Sequence, residues 1–326
     1  MHIPHGFFIL SLAVTLGITG CAPQPDQTPM PTPISTPHPS AIPIATNALE
    51  TITGSFRNQI SALEENMPRT NSEGFVAPTG QEKADFAELT SSLLGANDLA
   101  RASQLAVKNN YSLTYYVDRG DDNAVNYLLR EDKPIQKGWG LYAIRADSTS
   151  NIIIEAPHPL YDRRTPSVAL NIYRALDARA FLIAGAHRNA NSDGSADMAH
   201  TAESIFQSAH EALSQEIQIA SGNVIVLQIH GFHTSKHAGY PQVVFGFGEK
   251  IQPSELNLAQ KLGDALSEHG VIVGLCTGDV WQDLCGTTNT QASTMNGGVF
   301  IHIELDEDIR KHNDALIAAL VQVFGK

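Results

Sequence analysis

The second half of the chain alternates two hydrophobic rhythms. Short, continuously apolar runs stand at NIIIEAP (151–157), AFLIAGA (180–186), NVIVLQIHGF (223–232), VIVGLC (271–276) and GGVFIHIELD (297–306). Such runs predict strands covered on both faces. Between and after them, TPSVALNIYRALDA, HTAESIFQSAHEALSQE, SELNLAQKLGDALSEHG and DIRKHNDALIAALVQVFG carry apolar residues at helical spacing. Pro166 suits the first turn of one helix, and Gly270 the end of another. Upstream, YSLTYYVD, NAVNYLLRED and GWGLYAIRAD are strand-like and separated by turn residues, which predicts a meander. Earlier still, NALETITGSFRNQISALEENM and KADFAELTSSLLGANDLARASQLAVKNN repeat the helical period and predict a helical region over 47–110. Alternating strands and helices over 111–326 predict an α/β domain, with a mixed, mostly parallel sheet and helices on both faces.

The first 46 residues follow neither rhythm. Phe7–Ile18 is apolar but too short and too early for an ordinary spanning helix, and it fits the h-region of a secretory signal peptide. It runs into Ile18-Thr19-Gly20-Cys21, which resembles the bacterial lipobox. That resemblance implies removal of residues 1–20 and acylation of Cys21. The segment departs from the usual pattern in having no Lys or Arg near its start, only His2 and His5. Residues 21–46 follow, with eight of the chain's 17 prolines, and they predict an extended tether. Together the two segments predict an exported protein, anchored by lipid to a membrane and facing its extracytoplasmic side.

About 280 residues remain for the globular body. Residues 1–20 carry no Asp, Glu, Lys or Arg, so the net charge of −13 belongs to the rest of the chain. An acidic body argues against nucleic acid as a partner. Cys276 and Cys285 form an even pair in an exported chain, and a disulfide is expected. Zinc ligation by the same pair is the competing reading, disfavoured because their spacing is not of the CxxC type.

Sites in open α/β sheets form beyond the carboxyl ends of the strands. NIIIEAP is followed by His158 and Asp162, AFLIAGA by His187 and Arg188, NVIVLQI by His230 and GGVFIHI by Glu304. Four strand ends thus deliver polar, chemically competent side chains to one edge of the sheet. A catalytic zinc takes three protein ligands and keeps one position for water. His158 and Asp162 supply a close pair, and His230 supplies a distant third ligand, for one Zn2+ per chain. Glu304 is the candidate catalytic base on the activated water. An ordinary helix-start carboxylate is the alternative for Glu304, since Asp306, Glu307 and Asp308 follow it. No GxSxG nucleophile elbow occurs.

The motifs APHPLYD, AGAHRNAN, VLQIHGF and FIHIELDEDIR, spread over 151–310, resemble the zinc carboxypeptidase-like superfamily. The N-formylglutamate amidohydrolase-like and poly-γ-glutamate hydrolase-like branches are the most similar. The resemblance implies a phosphorylase/hydrolase-like fold and metal-dependent cleavage of an amide or peptide bond. It also implies that Arg188, with Asn189 beside it, binds a substrate carboxylate, for which a planar guanidinium is suited. A salt bridge from Arg188 to Asp193 or Asp197 is the other reading. The family pattern is His-x-x-Glu, whereas here it is His-x-x-x-Asp, so Glu155 and His200 stand as substitutes for Asp162. His187 and His200 are further candidates for substrate contact. His210 is expected on the helix surface, and the loop carrying Trp281, Asn289 and Gln291 is expected to form a substrate wall. Substrates implied are peptides, peptidoglycan fragments or γ-glutamyl polymers. The alternative from another class is a non-catalytic surface lipoprotein that binds a ligand or metal on the same scaffold.

Overall fold

The apolar runs settle into a single ten-stranded sheet. A computed structural model describes residues 49–133 and 136–325; the proposed signal peptide, Cys21 and the tether lie outside the described residues. In chain order the elements are β1 (Thr51–Gly54), α1 (Phe56–Asn66), α2 (Gly80–Leu94), α3 (Leu99–Lys108), β2 (Tyr111–Asp118), β3 (Ala124–Glu131) and β4 (Leu141–Arg145). There follow β5 (Ile152–Ala156), α4 (Thr165–Ala175), β6 (Ala180–Ile183), α5 (Ile205–Ser221), β7 (Ile225–Gly231) and β8 (Val243–Gly246). The chain closes with α6 (Pro253–Glu268), β9 (Val273–Leu275), α7 (Thr290–Thr294), β10 (Val299–Leu305), α8 (Glu307–Lys311) and α9 (Asp314–Phe324).

The strand order is β1-β2-β3-β4-β6-β5-β7-β10-β8-β9. Its centre, β6-β5-β7-β10, is parallel throughout. The β2-β3-β4 meander joins antiparallel on one side, and β8 runs antiparallel to β10 on the other. After β5 the chain passes through α4 to β6 on one flank, then through α5 to β7 on the other flank. Order therefore reverses at β5, and the crevice beyond its carboxyl end is where an α/β sheet accommodates chemistry.

Side-chain alternation divides the core in two. Ile152, Ile154, Phe181, Ile183, Leu227, Ile229, Ile301 and Ile303 pack with α1, α4, α6 and α9. Ile153, Ala180, Leu182, Val226 and Phe300 pack with α2, α3 and α5 on the opposite face. Each large apolar side chain buried this way contributes roughly 1.5–3 kcal/mol. On the α5 face the apolar rows stop halfway along the central strands. Glu155, Gln228 and His302 are cross-strand neighbours there, and His230 faces Glu304 one step further on. All five are buried.

Three elements differ from the sequence reading. Thr51–Gly54, expected within a helix, is a strand parallel to β2; its β-branched TIT favours an extended edge, and pairing overrides the surrounding helical period. Val243–Gly246 adds a strand too short to signal itself by periodicity. The closing helix is two helices, α8 and α9, interrupted at His312 and Asn313.

Cys276 and Cys285 form a disulfide that closes the loop after β9. That loop lies hard against β8, where a Cβ on Gly246 would come 2.4 Å from the Cys285 carbonyl oxygen. Cross-linking so short a loop is worth about 2–3 kcal/mol through the unfolded chain. A Cys276→Ala/Cys285→Ala double variant should lose that amount in denaturant unfolding; an unchanged midpoint would mean that packing alone orders the loop.

Candidate metal centre

Pro157 ends the β5 ladder and the chain turns. The Asp162 N–H donates to the His158 carbonyl at 2.9 Å, closing one turn that lays the two side chains together. The Thr165 N–H and hydroxyl both donate to the Asp162 carbonyl and fix the turn ahead of α4. As a result His158 Nδ1 lies 3.3 Å from Asp162 Oδ2. From β7, His230 brings its own Nδ1 to 3.3 Å from the same oxygen. The three side chains are buried, and their ligand atoms lie within 4.8 Å of one another.

The protons on these imidazoles are fixed from behind. Gln291 donates its amide to the Met198 carbonyl, which can only accept, so its own oxygen faces Gln228. Gln228 therefore donates there and to Glu155, and turns its oxygen towards His230 Nε2 at 2.8 Å. Asn289 has its oxygen engaged by the Ala292 N–H, and so donates to that same Gln228 oxygen. His230 must then carry its proton on Nε2. Burial, together with the charges of His302 and His158, pushes His230 well below the usual histidine range, so its ring is neutral. Its Nδ1 lone pair points at a carboxylate oxygen. Burial opposes ionisation of Asp162, yet His158 beside it holds its carboxyl below the usual range. Two electron-rich atoms facing each other in a buried crevice make a site that suits a cation.

Zinc fits that requirement. Two ligands on a tetrahedral ion with bonds of about 2.0–2.1 Å lie about 3.3–3.4 Å apart. Charge-assisted N–H···O bonds are shorter, about 2.7–2.9 Å. The observed 3.3 Å spacings match the first pattern. His158 Nε2 lies 2.8 Å from Asp197 Oδ1, the carboxylate partner that orients a metal-bound histidine. Burial penalises charge on His158, but Asp162 and Asp197 outweigh it and raise its pKa.

Two other groups overlap this one: His158, Asp197 and His200, and His230, His302 and Glu304. Asp197 already receives the Arg188 guanidinium and lies 3.0 Å from His200 Nδ1, so its charge is spent. In the other group His302 Nε2 lies 3.1 Å from Glu304 Oε1, and the His302 ring lies 4.1 Å from that of His230. Glu304 Oε2 has no hydrogen-bond partner among the described residues, although it is buried. Burial raises the Glu304 pKa, with His302 acting against it. Glu304 thus has one held and one free oxygen, and one of the two lies within 4.8 Å of a His230 ligand atom.

The remaining predicted residues fall as follows. Glu155 is wholly buried in β5 and bonded to His210 and Gln228, away from the His158–Asp162–His230 donors. His200 meets Asp197 at 3.0 Å and stacks 6.4 Å from the His158 ring, beside the donors. Arg188 donates to Asp197 and stacks 5.1 Å over the Tyr161 ring. His187 Nε2 lies 3.1 Å from Thr70 Oγ1, its Nδ1 accepts the Asn189 N–H, and Asn189 is exposed. His210 is buried on Glu155, not on the helix surface, because α5 turns that side towards the sheet. Asn289 and Gln291 do not form a substrate wall; α7 inserts both behind His230.

The sequence reading passed over His302, Gln228 and Arg310. Strand parity carried the signal for the first two, since they sit two positions before Glu304 and His230. Arg310 is buried and donates to the carbonyls of Arg163, Phe232 and Asp306, tying together the loops that carry Asp162 and follow His230. Gly231 leaves room for it, since a Cβ there would come 2.7 Å from the guanidinium carbon.

No protein-family model matches the chain, and no curated protein does. Among solved structures it is similar to an N-formylglutamate amidohydrolase from Ralstonia eutropha JMP134, at 12% identity and a TM-score of 0.37, over 56% of this chain and 96% of that one. A bacteriophage poly-gamma-glutamate hydrolase aligns at 13% identity and a TM-score of 0.38, over 56% and 84%. A metallo-carboxypeptidase from Burkholderia cenocepacia aligns at 13% identity and 0.34, over 76% and 69%. At such TM-scores the functional reading rests on the residues themselves.

Metal analysis by mass spectrometry should find about one zinc per chain, lost in His158→Ala and in His230→Ala. Gln228→Leu should weaken zinc about 10–100-fold, because it frees the His230 tautomer. Equal zinc affinity in Gln228→Leu would refute the tautomer argument.

Proposed function

We propose that this chain is a zinc-dependent hydrolase of amide or peptide bonds, acting outside the cytoplasm on a carboxylate-bearing substrate. The convergence of His158 Nδ1 and His230 Nδ1 on one Asp162 oxygen, each at 3.3 Å in a buried crevice, carries the reading. Zinc held by His158, Asp162 and His230 would polarise the scissile carbonyl and lower the pKa of a water to about 7.

The chain's own groups supply the rest. Glu304 Oε2 accepts a proton from the attacking water and returns it to the leaving nitrogen. His302 holds Oε1 and leaves Oε2 without a partner among the described residues, free to take the proton. Asp197 steadies His158, and Gln228 steadies His230, so neither donor swings when substrate enters. Peptides, peptidoglycan fragments and γ-glutamyl polymers are the substrate classes of choice.

Glu304→Gln is nearly isosteric and removes only the base. It should retain zinc and lower turnover of an amide substrate by 10²–10⁴-fold. Turnover equal to the parent's would remove Glu304 from the mechanism.

The membrane tether belongs to the same proposal. Cys21 after Ile18-Thr19-Gly20 would carry the lipid, and the proline-rich segment would space the body from the bilayer. Cells fed labelled palmitate should label the parent chain and not Cys21→Ala; equal labelling of both would exclude acylation at Cys21.

A further inference from the structure

A second cavity opens beside the donor loop. It encloses about 530 Å³ and is lined by Pro159 and Leu160, which lie between the donors His158 and Asp162, and by His187 at the end of β6. Its polar wall is Arg69, Arg163, Arg164 and Glu64. Three guanidiniums in one cavity stand out on a chain with 21 Lys and Arg against 34 Asp and Glu.

Their partners separate these arginines from the others near the centre. Arg69 donates to the carbonyls of Glu64 and Glu65 at the end of α1, and its charge acts on the neighbouring Glu64. Arg163 and Arg164 are exposed, and their guanidiniums make no hydrogen bond or ion pair among the described residues. Arg188, by contrast, is engaged by Asp197. Glu64 is the single carboxylate lining the cavity.

Backbone strain adds an independent observation. Arg164 has φ +75° and ψ −8°, in the left-handed region, one residue before α4. A side chain there costs about 1–2 kcal/mol that glycine avoids. Strain of this kind concentrates at ligand-binding positions. Arg310 holds the Arg163 carbonyl at 2.8 Å and so fixes the direction in which this arginine pair leaves the donor loop.

We infer that this cavity is an anion-recognising subsite, in which Arg163, Arg164 and Arg69 take a carboxylate or phosphate group of the substrate at a distance from the bond that is cut. The inference deepens the proposed hydrolase reading and rests on it for the identity of the substrate. It assigns anion recognition to guanidiniums that are free to give it. A bidentate guanidinium–anion pair suits either group.

Binding to the full-length chain by calorimetry at low salt tests this, with triglutamate and tripolyphosphate as probes and triglutamine, N-acetylated and C-terminally amidated, as the neutral control. The chain is studied both zinc-loaded and after EDTA. The key variant is Arg163→Gln/Arg164→Gly. Glycine at 164 relieves the positive φ, so the thermal midpoint of Arg164→Gly alone should equal or exceed that of the parent. Triglutamate or tripolyphosphate should bind with and without zinc, at least tenfold more weakly in the double variant, while triglutamine does not bind. The probe that binds identifies the group. Absence of binding by both anions, equal binding by the double variant, or equal binding of triglutamine overturns the subsite. A chain that binds zinc but neither anion loses only the subsite. One that binds an anion through these arginines but never takes up zinc loses only the metal reading.

Discussion

A neutral imidazole nitrogen and a carboxylate oxygen, both with lone pairs forward, face each other across 3.3 Å in a buried crevice. Neither can turn away. His230 is fixed by Gln228, and Gln228 by a chain of amides ending on one backbone carbonyl and one backbone N–H. The Asp162 backbone is fixed by its turn and by Thr165, and its carboxylate is held between two histidines. Repulsion between them in a low-dielectric site is large, and a divalent cation converts it to attraction. Much of the polar interior on the α5 face exists to hold that confrontation in place.

The cost of this arrangement is visible in the strands. Glu155, Gln228 and His302 occupy positions that the pattern of Ile153, Val226 and Phe300 reserves for apolar side chains. Buried polar groups are tolerated only when satisfied. His210 and Gln228 satisfy Glu155, and Gln291, Asn289 and His230 satisfy Gln228. Among the described residues three atoms of this cluster lack partners: Glu304 Oε2, His302 Nδ1 and His210 Nε2. Gly286 presses on the second of these, since a Cβ there would come 2.8 Å from it.

Sequence alone revealed the strands that place the site, because runs such as NIIIEAP and AFLIAGA have no other stable use in a chain this size. It also revealed the polar residues just past those strands. Inside the strands the signal fades. In VFIHIEL, Glu304 attracts notice as a charge at a strand end, whereas His302 reads as an interruption; only parity links them. The α7 contribution was not legible at all. Asn289 and Gln291 come to His230 from more than fifty residues away, through a fold that local patterning does not encode. Thr51–Gly54 shows the reverse failure, where a tertiary edge pairing overrides a local helical period.

Electrostatics decides which arginine meets a substrate. Asp197 is shared by His158, His200 and Arg188, and these groups hold it well below the usual carboxylate range against the effect of burial. A substrate carboxylate meeting Arg188 would have to share its guanidinium with Asp197, which already takes the Nη2 end. It would also loosen the group that orients His158. Arg163 and Arg164 carry no such obligation. The body's overall negative charge repels an anion at long range, but salt screens that field beyond about 8–10 Å. Within the cavity the nearby guanidiniums dominate, so an anion would be met most cheaply one step outside the donor cluster.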